Sequence, residues 1–97
     1  MNPRLVLVVD DEPAMIALHR RVLEGAGYVV VSAGTAAEAL ALFKRGVAPD
    51  VLIADVQLPG VTGEELVRRV RAIRPAQKVL YATAHVRRLL GLRHIDY

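Results

Sequence analysis

Leu5-Val6-Leu7-Val8-Val9-Asp10-Asp11-Glu12-Pro13 is the stretch that decides the fold. Five apolar residues in a row, three of them β-branched, describe a strand buried on both faces, as in a parallel sheet covered by helices. Two aspartates stop the run. Pro13 suits the first turn of a helix, where a missing N–H costs nothing, and Asp11 stands where it can cap that helix. Further along, Met15, Leu18 and Val22 recur at helical spacing and predict the stripe that faces the sheet, with Gly25 and Gly27 ending the helix.

The same alternation continues to the end of the readable pattern. Tyr28 to Ser32 predicts a second strand, and Thr35-Ala36-Ala37-Glu38 reads as a capping box before a helix that turns Ala36, Leu40 and Phe43 inward. Val51 to Ala54 predicts a third strand, followed by a loop from Val56 to Val61 with a turn at Pro59-Gly60. Thr62-Gly63-Glu64-Glu65 is a second capping box, ahead of Leu66, Val70 and Ile73 at helical spacing. Pro75 closes that helix, and Val79 to Ala82 predicts a fourth strand. Strands alternating with helices across short loops mean βαβ crossovers and a parallel α/β sheet.

Composition bounds the function. A chain of 97 residues makes one domain, and 54% hydrophobic against 24% charged residues is a globular balance. The absence of cysteine excludes a disulfide framework and thiolate metal sites and suits a reducing cytoplasm. The amino terminus does not read as a signal peptide, and no apolar run reaches bilayer-spanning length, so a soluble protein without membrane contact is expected. The net charge of +3 is uneven: from Leu66 onward eight basic residues stand against Asp96 alone. Tyr81 is the one aromatic residue set among these arginines, too few for a stacking surface, which argues for a solvated helix face rather than a nucleic-acid surface.

The chemistry lies in the acids. Asp10 and Asp11 end one apolar run and Asp55 ends another; on neighbouring parallel strands all three meet at the carboxyl edge of the sheet, where open α/β folds place their sites. Crowded carboxylates repel one another and call for a cation. Oxygen donors without cysteine or a nearby histidine select a hard ion, Mg²⁺ before Zn²⁺. Asp55 could attack phosphorus to form an acyl phosphate, and Thr83, after the fourth strand, could donate a hydrogen bond to the transferred group. A phosphohydrolase with such a nucleophile commonly carries a second aspartate two residues later. That position is Gln57, which is neither acid nor base, so an enzyme is not expected.

Val8-Val9-Asp10-Asp11-Glu12-Pro13, Asp50-Val51-Leu52-Ile53-Ala54-Asp55-Val56-Gln57-Leu58-Pro59-Gly60 and Ala82-Thr83-Ala84-His85 together resemble the receiver domain of two-component response regulators, in register from about Arg4 to His85. The resemblance implies a flavodoxin-like, doubly wound sheet. It implies that Asp55 takes a phosphoryl group from a sensor histidine kinase or a phosphotransfer protein. Asp11 and Asp55 would bind Mg²⁺ directly, with the backbone carbonyl of Gln57 as the third protein ligand and Asp10 acting through water. Thr83 would hydrogen-bond the phosphoryl group and pass the signal on, while Gln57 and His85 would tune its loss.

The resemblance also brings a departure. Receivers carry a lysine at the end of a fifth strand; Lys44 and Lys78 both precede Thr83, and Arg87, Arg88 and Arg93 do not match its spacing. The expectation is therefore a single receiver domain over residues 1–97, incomplete at its carboxyl end, with strand order 2-1-3-4 and the fifth strand and helix missing or altered. Val79-Leu80-Tyr81-Ala82 then forms an apolar edge open to a second copy of the chain. Two functions stay open: a phosphorylated signalling module, touching nucleic acid only through an output domain outside this chain, and a degenerate receiver used for assembly.

Overall fold

The computed structural model describes residues 4–82. In chain order the elements are β1 (Leu5–Val9), α1 (Pro13–Gly25), β2 (Val29–Ala33), α2 (Ala36–Lys44), β3 (Val51–Asp55), β4 (Gln57–Leu58), β5 (Val61–Thr62), α3 (Gly63–Ile73) and β6 (Val79–Ala82). The four main strands form one parallel sheet in the order β2-β1-β3-β6, the 2-1-3-4 order expected. A fifth strand, Thr83, His85 and the arginines after them fall outside the described residues.

The apolar runs of β1 and β3 are strands covered on both faces. Leu7, Val9, Leu52 and Ala54 pack with Ala39 and Phe43 of α2 and with Leu66, Val67 and Val70 of α3. Val6, Val8, Val30 and Ile53 face the other way, against Ile16 and Leu23 of α1. Each such side chain contributes roughly 1.5–3 kcal/mol when fully buried, so β1 anchors the domain.

Several local expectations shift. Met15 and His19 are the buried residues of α1, whereas Leu18 and Val22 are half-buried. The inward stripe is centred on His19 and Leu23, and the polar identity of His19 hides that centre from a reading of apolar residues. In α3 the stripe runs through Leu66, Val67 and Val70, which moves Ile73 to its margin at 39% exposed. Asp11 does not cap α1. The cap position falls on Glu12, whose carbonyl accepts from the Met15 and Ile16 amides, while its own side chain makes no cap hydrogen bond. β2 begins at Val29 because the Tyr28 amide is used to close α1, donating to the Leu23 carbonyl at 3.0 Å.

The predicted loop after β3 is a small antiparallel hairpin, with Gln57 opposite Thr62 and Leu58 opposite Val61. Pro59 precedes Gly60, whose φ is 75°, the pairing that a type II turn requires. This hairpin leads the chain from the end of β3 directly to the start of α3.

Candidate functional site

The site follows from the register. Val9 of β1 lies opposite Ala54 of β3, so the residues that come next, Asp10 and Asp55, emerge side by side at the carboxyl edge. Asp11 joins them: carboxylate oxygens of Asp10, Asp11 and Asp55 lie within 4.8 Å of one another. Asp10 and Asp55 are buried, at 1% and 2% exposed, while Asp11 is open to solvent. All three acids singled out in the sequence are brought together.

Two aspartates are oriented by the same device. The Glu12 amide donates to Asp10 Oδ1 at 2.9 Å, and the Gln57 amide donates to Asp55 Oδ1 at 3.1 Å. Each is a side-chain bond to the backbone two residues on, the Asx-turn that short acidic side chains favour. It breaks the strand and aims the carboxylate at one stroke. It also explains why Asp11 is not a cap: the Asp10 turn takes over the start of the connection.

Two unit charges at this spacing repel by about 3 kcal/mol at an effective dielectric of about 20. A cation among the carboxylates relieves that repulsion. The donors are oxygens only, with no cysteine in the chain, and such a set fits a hard divalent ion of the magnesium or calcium kind. Gln57 is fixed beside them by its pairing with Thr62, so its main chain is held at the same edge. A cavity of about 400 Å³ lined by Val56, Gln57, Thr62, Glu64 and Tyr81 adjoins this hairpin. Ala82 of β6 lies opposite Asp55; Thr83, like His85, lies outside the described residues.

Gly63 is the positioning residue that sequence reasoning passed over as part of a capping box. A Cβ there would collide with the carbonyl oxygen of Asp55 and lie 3.1 Å from its carbonyl carbon. The Gly63 amide donates to the Val56 carbonyl at 2.8 Å. The first residue of α3 thus rests directly on the backbone of Asp55. The available signal was a glycine, a poor helix former, at the first position of an otherwise strong helix.

Comparison with known proteins agrees with this geometry. The profile of the response regulator receiver domain family matches residues 6–96. The chain is 43% identical over 83 residues to the transcriptional regulatory protein TrcR of Mycobacterium tuberculosis, covering 86% of this chain and 32% of that protein. It spans about a third of the length of the first curated relatives it matches. Among solved structures it is similar to the chemotaxis response regulator CheY4 of Vibrio cholerae, with a TM-score of 0.76 at 34% identity, covering 82% of this chain and 68% of that one. It is also similar to the response regulator TrrA of Thermotoga maritima, solved in complex with Mg²⁺-BeF, with a TM-score of 0.77 at 33% identity over 96% of this chain and 82% of that one.

Proposed function

The chain belongs to the response regulator receiver domain family of two-component systems, with its CheY-like fold, and from that premise we propose that it accepts a phosphoryl group on Asp55. The observation that carries this reading is the convergence of Asp10, Asp11 and Asp55 at one sheet edge. The donor is a phosphohistidine on a sensor histidine kinase or a phosphotransfer protein. An Asp55 carboxylate oxygen forms the new bond to phosphorus as the phosphorus–nitrogen bond breaks, and the departing imidazole takes up a proton. The Asx-turn from the Gln57 amide holds Asp55 in place for that attack.

Asp11 and Asp55 would hold Mg²⁺ directly with the Gln57 backbone carbonyl, and Asp10 would hold it through water. The bound ion supplies neutralisation of the transferring oxygens. Thr83 is assigned the hydrogen bond to the transferred group. The reaction is an acceptance of phosphoryl rather than an enzymatic turnover of substrate. No helix among the described residues is long and apolar enough to cross a membrane, and we assign the module to the cytoplasm.

Intact-mass spectrometry after incubation with a small-molecule phosphodonor tests this reading. A Mg²⁺-dependent gain of one phosphoryl group is expected for the parent, lost on chelation and absent in Asp55→Asn. Undiminished labelling of Asp55→Asn would remove the assignment. A second role rests on a separate observation. Leu80 and Tyr81 of β6 are 61% and 44% exposed, which supports association of two copies through that edge, alongside phosphorylation.

A further inference from the structure

The amino edge of the sheet, opposite the carboxylates, holds a second polar cavity of about 320 Å³. Arg4 reaches it from the chain before β1, Asp50 from the turn before β3, and Arg74, Gln77 and Lys78 from the connection between α3 and β6. Residues distant in sequence meet there because parallel strands bring all their amino ends to one edge.

Gln77 organises the cleft. It is 2% exposed, and its amide nitrogen donates to the Pro49 carbonyl at 3.1 Å and the Lys78 carbonyl at 3.0 Å. Its Oε1 accepts from Arg74 Nε at 3.2 Å, and its main-chain carbonyl accepts from Arg71 Nη2 at 3.1 Å. Arg74 is therefore held through Nε, with its two terminal nitrogens left over as a fork.

Charge is the second observation. The ion pairs among the described residues join Arg20 to Glu24 and join Arg68 and Arg69 to Glu65; none includes Arg4, Arg74 or Lys78. Asp50, the one acid on the rim among the described residues, is engaged by the Leu5 amide at 2.8 Å. Among the described residues, three cations against one carboxylate leave a surplus of two positive charges around this cavity.

We propose that this cleft binds a phosphate-class dianion, either free phosphate or the phosphate of a small monoester, through the Arg74 fork with Arg4 and Lys78 completing the charge. A planar guanidinium matches two phosphate oxygens at once, and a dianion cancels the surplus. This site is separate from the Asp55 chemistry and does not depend on it.

The test is a titration of the isotopically labelled chain with inorganic phosphate, and separately with glycerol 3-phosphate, followed by backbone amide shifts at constant ionic strength. Mg²⁺ is omitted, so that the carboxylate edge repels the anion. Saturating shifts are expected at Leu5, Asp50, Gln77 and Lys78, and none at Asp11 or Gln57. Tighter binding of glycerol 3-phosphate marks a monoester site; equal affinity marks recognition of phosphate alone. Arg74→Ala should weaken binding by about tenfold, the effect of one lost charge-assisted hydrogen bond. Lys78→Ala removes an exposed side chain, so its native amide pattern separates lost affinity from lost fold. Shifts that rise linearly without saturation, shifts centred on the carboxylate edge, or parental affinity in both variants would overturn the proposal.

Discussion

Gly63 shows how a residue without a functional group can govern one that has it. Its φ is not in the left-handed region, so what demands glycine is close approach: α3 begins against the Asp55 carbonyl and the Val56 Cα, the latter 3.2 Å from where a Cβ would stand. Gly63→Ala must push the helix start away from the backbone that presents Asp55. Inserting a methyl into such a contact costs about 1–3 kcal/mol. Urea unfolding should therefore show a lower midpoint with an unchanged slope, and phosphoryl uptake should slow at the same time. An alanine variant with the parental midpoint would show that this approach relaxes freely. The three acids were legible because each ends an apolar run, and the end of a buried strand is a defined place in space. Gly63 was not, because a steric requirement leaves no mark beyond the glycine itself.

At the scale of elements, sequence and structure agree where one force dominates. β1 and β3 are continuous apolar runs buried on two faces, the pattern of a central parallel strand. Both predicted caps form: Thr35 Oγ1 accepts from the Glu38 amide, and Thr62 Oγ1 from the Glu65 amide, each at 3.1 Å. The glutamates behave less predictably. Glu38 reaches back to the Gly34 amide at 3.2 Å, while Glu65 turns to Arg68 at 2.7 Å and Arg69 at 3.3 Å. A cap is local geometry, whereas a long acidic side chain chooses among several partners, and that choice depends on the assembled surface. His19 is the same lesson in α1, where docking of the helix, rather than its apolar pattern, decides which face goes in. The caps offer a direct comparison. Thr35→Ala and Thr62→Ala should each cost about 1 kcal/mol in urea unfolding. Only Thr62→Ala should also slow phosphoryl uptake, because Thr62 starts the helix that rests on Asp55 and pairs with Gln57. Equal uptake in the two variants would separate the α3 start from the site.

The whole molecule has two outer strands in its described sheet, and they are treated differently. On β2, Arg20 crosses from α1 and donates to the Val30 carbonyl at 2.9 Å and the Ser32 hydroxyl at 3.2 Å, while also pairing with Glu24. In the parallel register with β1, Val29 and Ala33 use their backbone toward that strand, so the Val30 carbonyl points outward and Arg20 covers it. A charged side chain on an outward carbonyl is a standard obstacle to edge-to-edge pairing. Along β6, the Lys78 and Ala82 carbonyls accept from the Leu52 and Val56 amides, and by alternation Val79 and Tyr81 direct their backbone groups away from β3. The side chains there are apolar, and Leu80 is the most exposed large hydrophobic residue described. A two-fold axis normal to the sheet would set β6 antiparallel to its copy and extend the sheet across both protomers, an isologous contact. Light scattering over a wide concentration range is expected to show a monomer–dimer equilibrium for the parent. Leu80→Lys should shift it to monomer by placing like charges across the axis. Tyr81→Pro should do the same by removing an outward amide without touching the pairing to β3. Arg20→Ala, by contrast, should open β2 and drive assembly beyond the dimer, since two free edges of the described sheet permit open-ended growth whereas one permits only a pair. A parent that remains monomeric throughout, or variants with the parental distribution, would assign the exposed β6 edge no role in association.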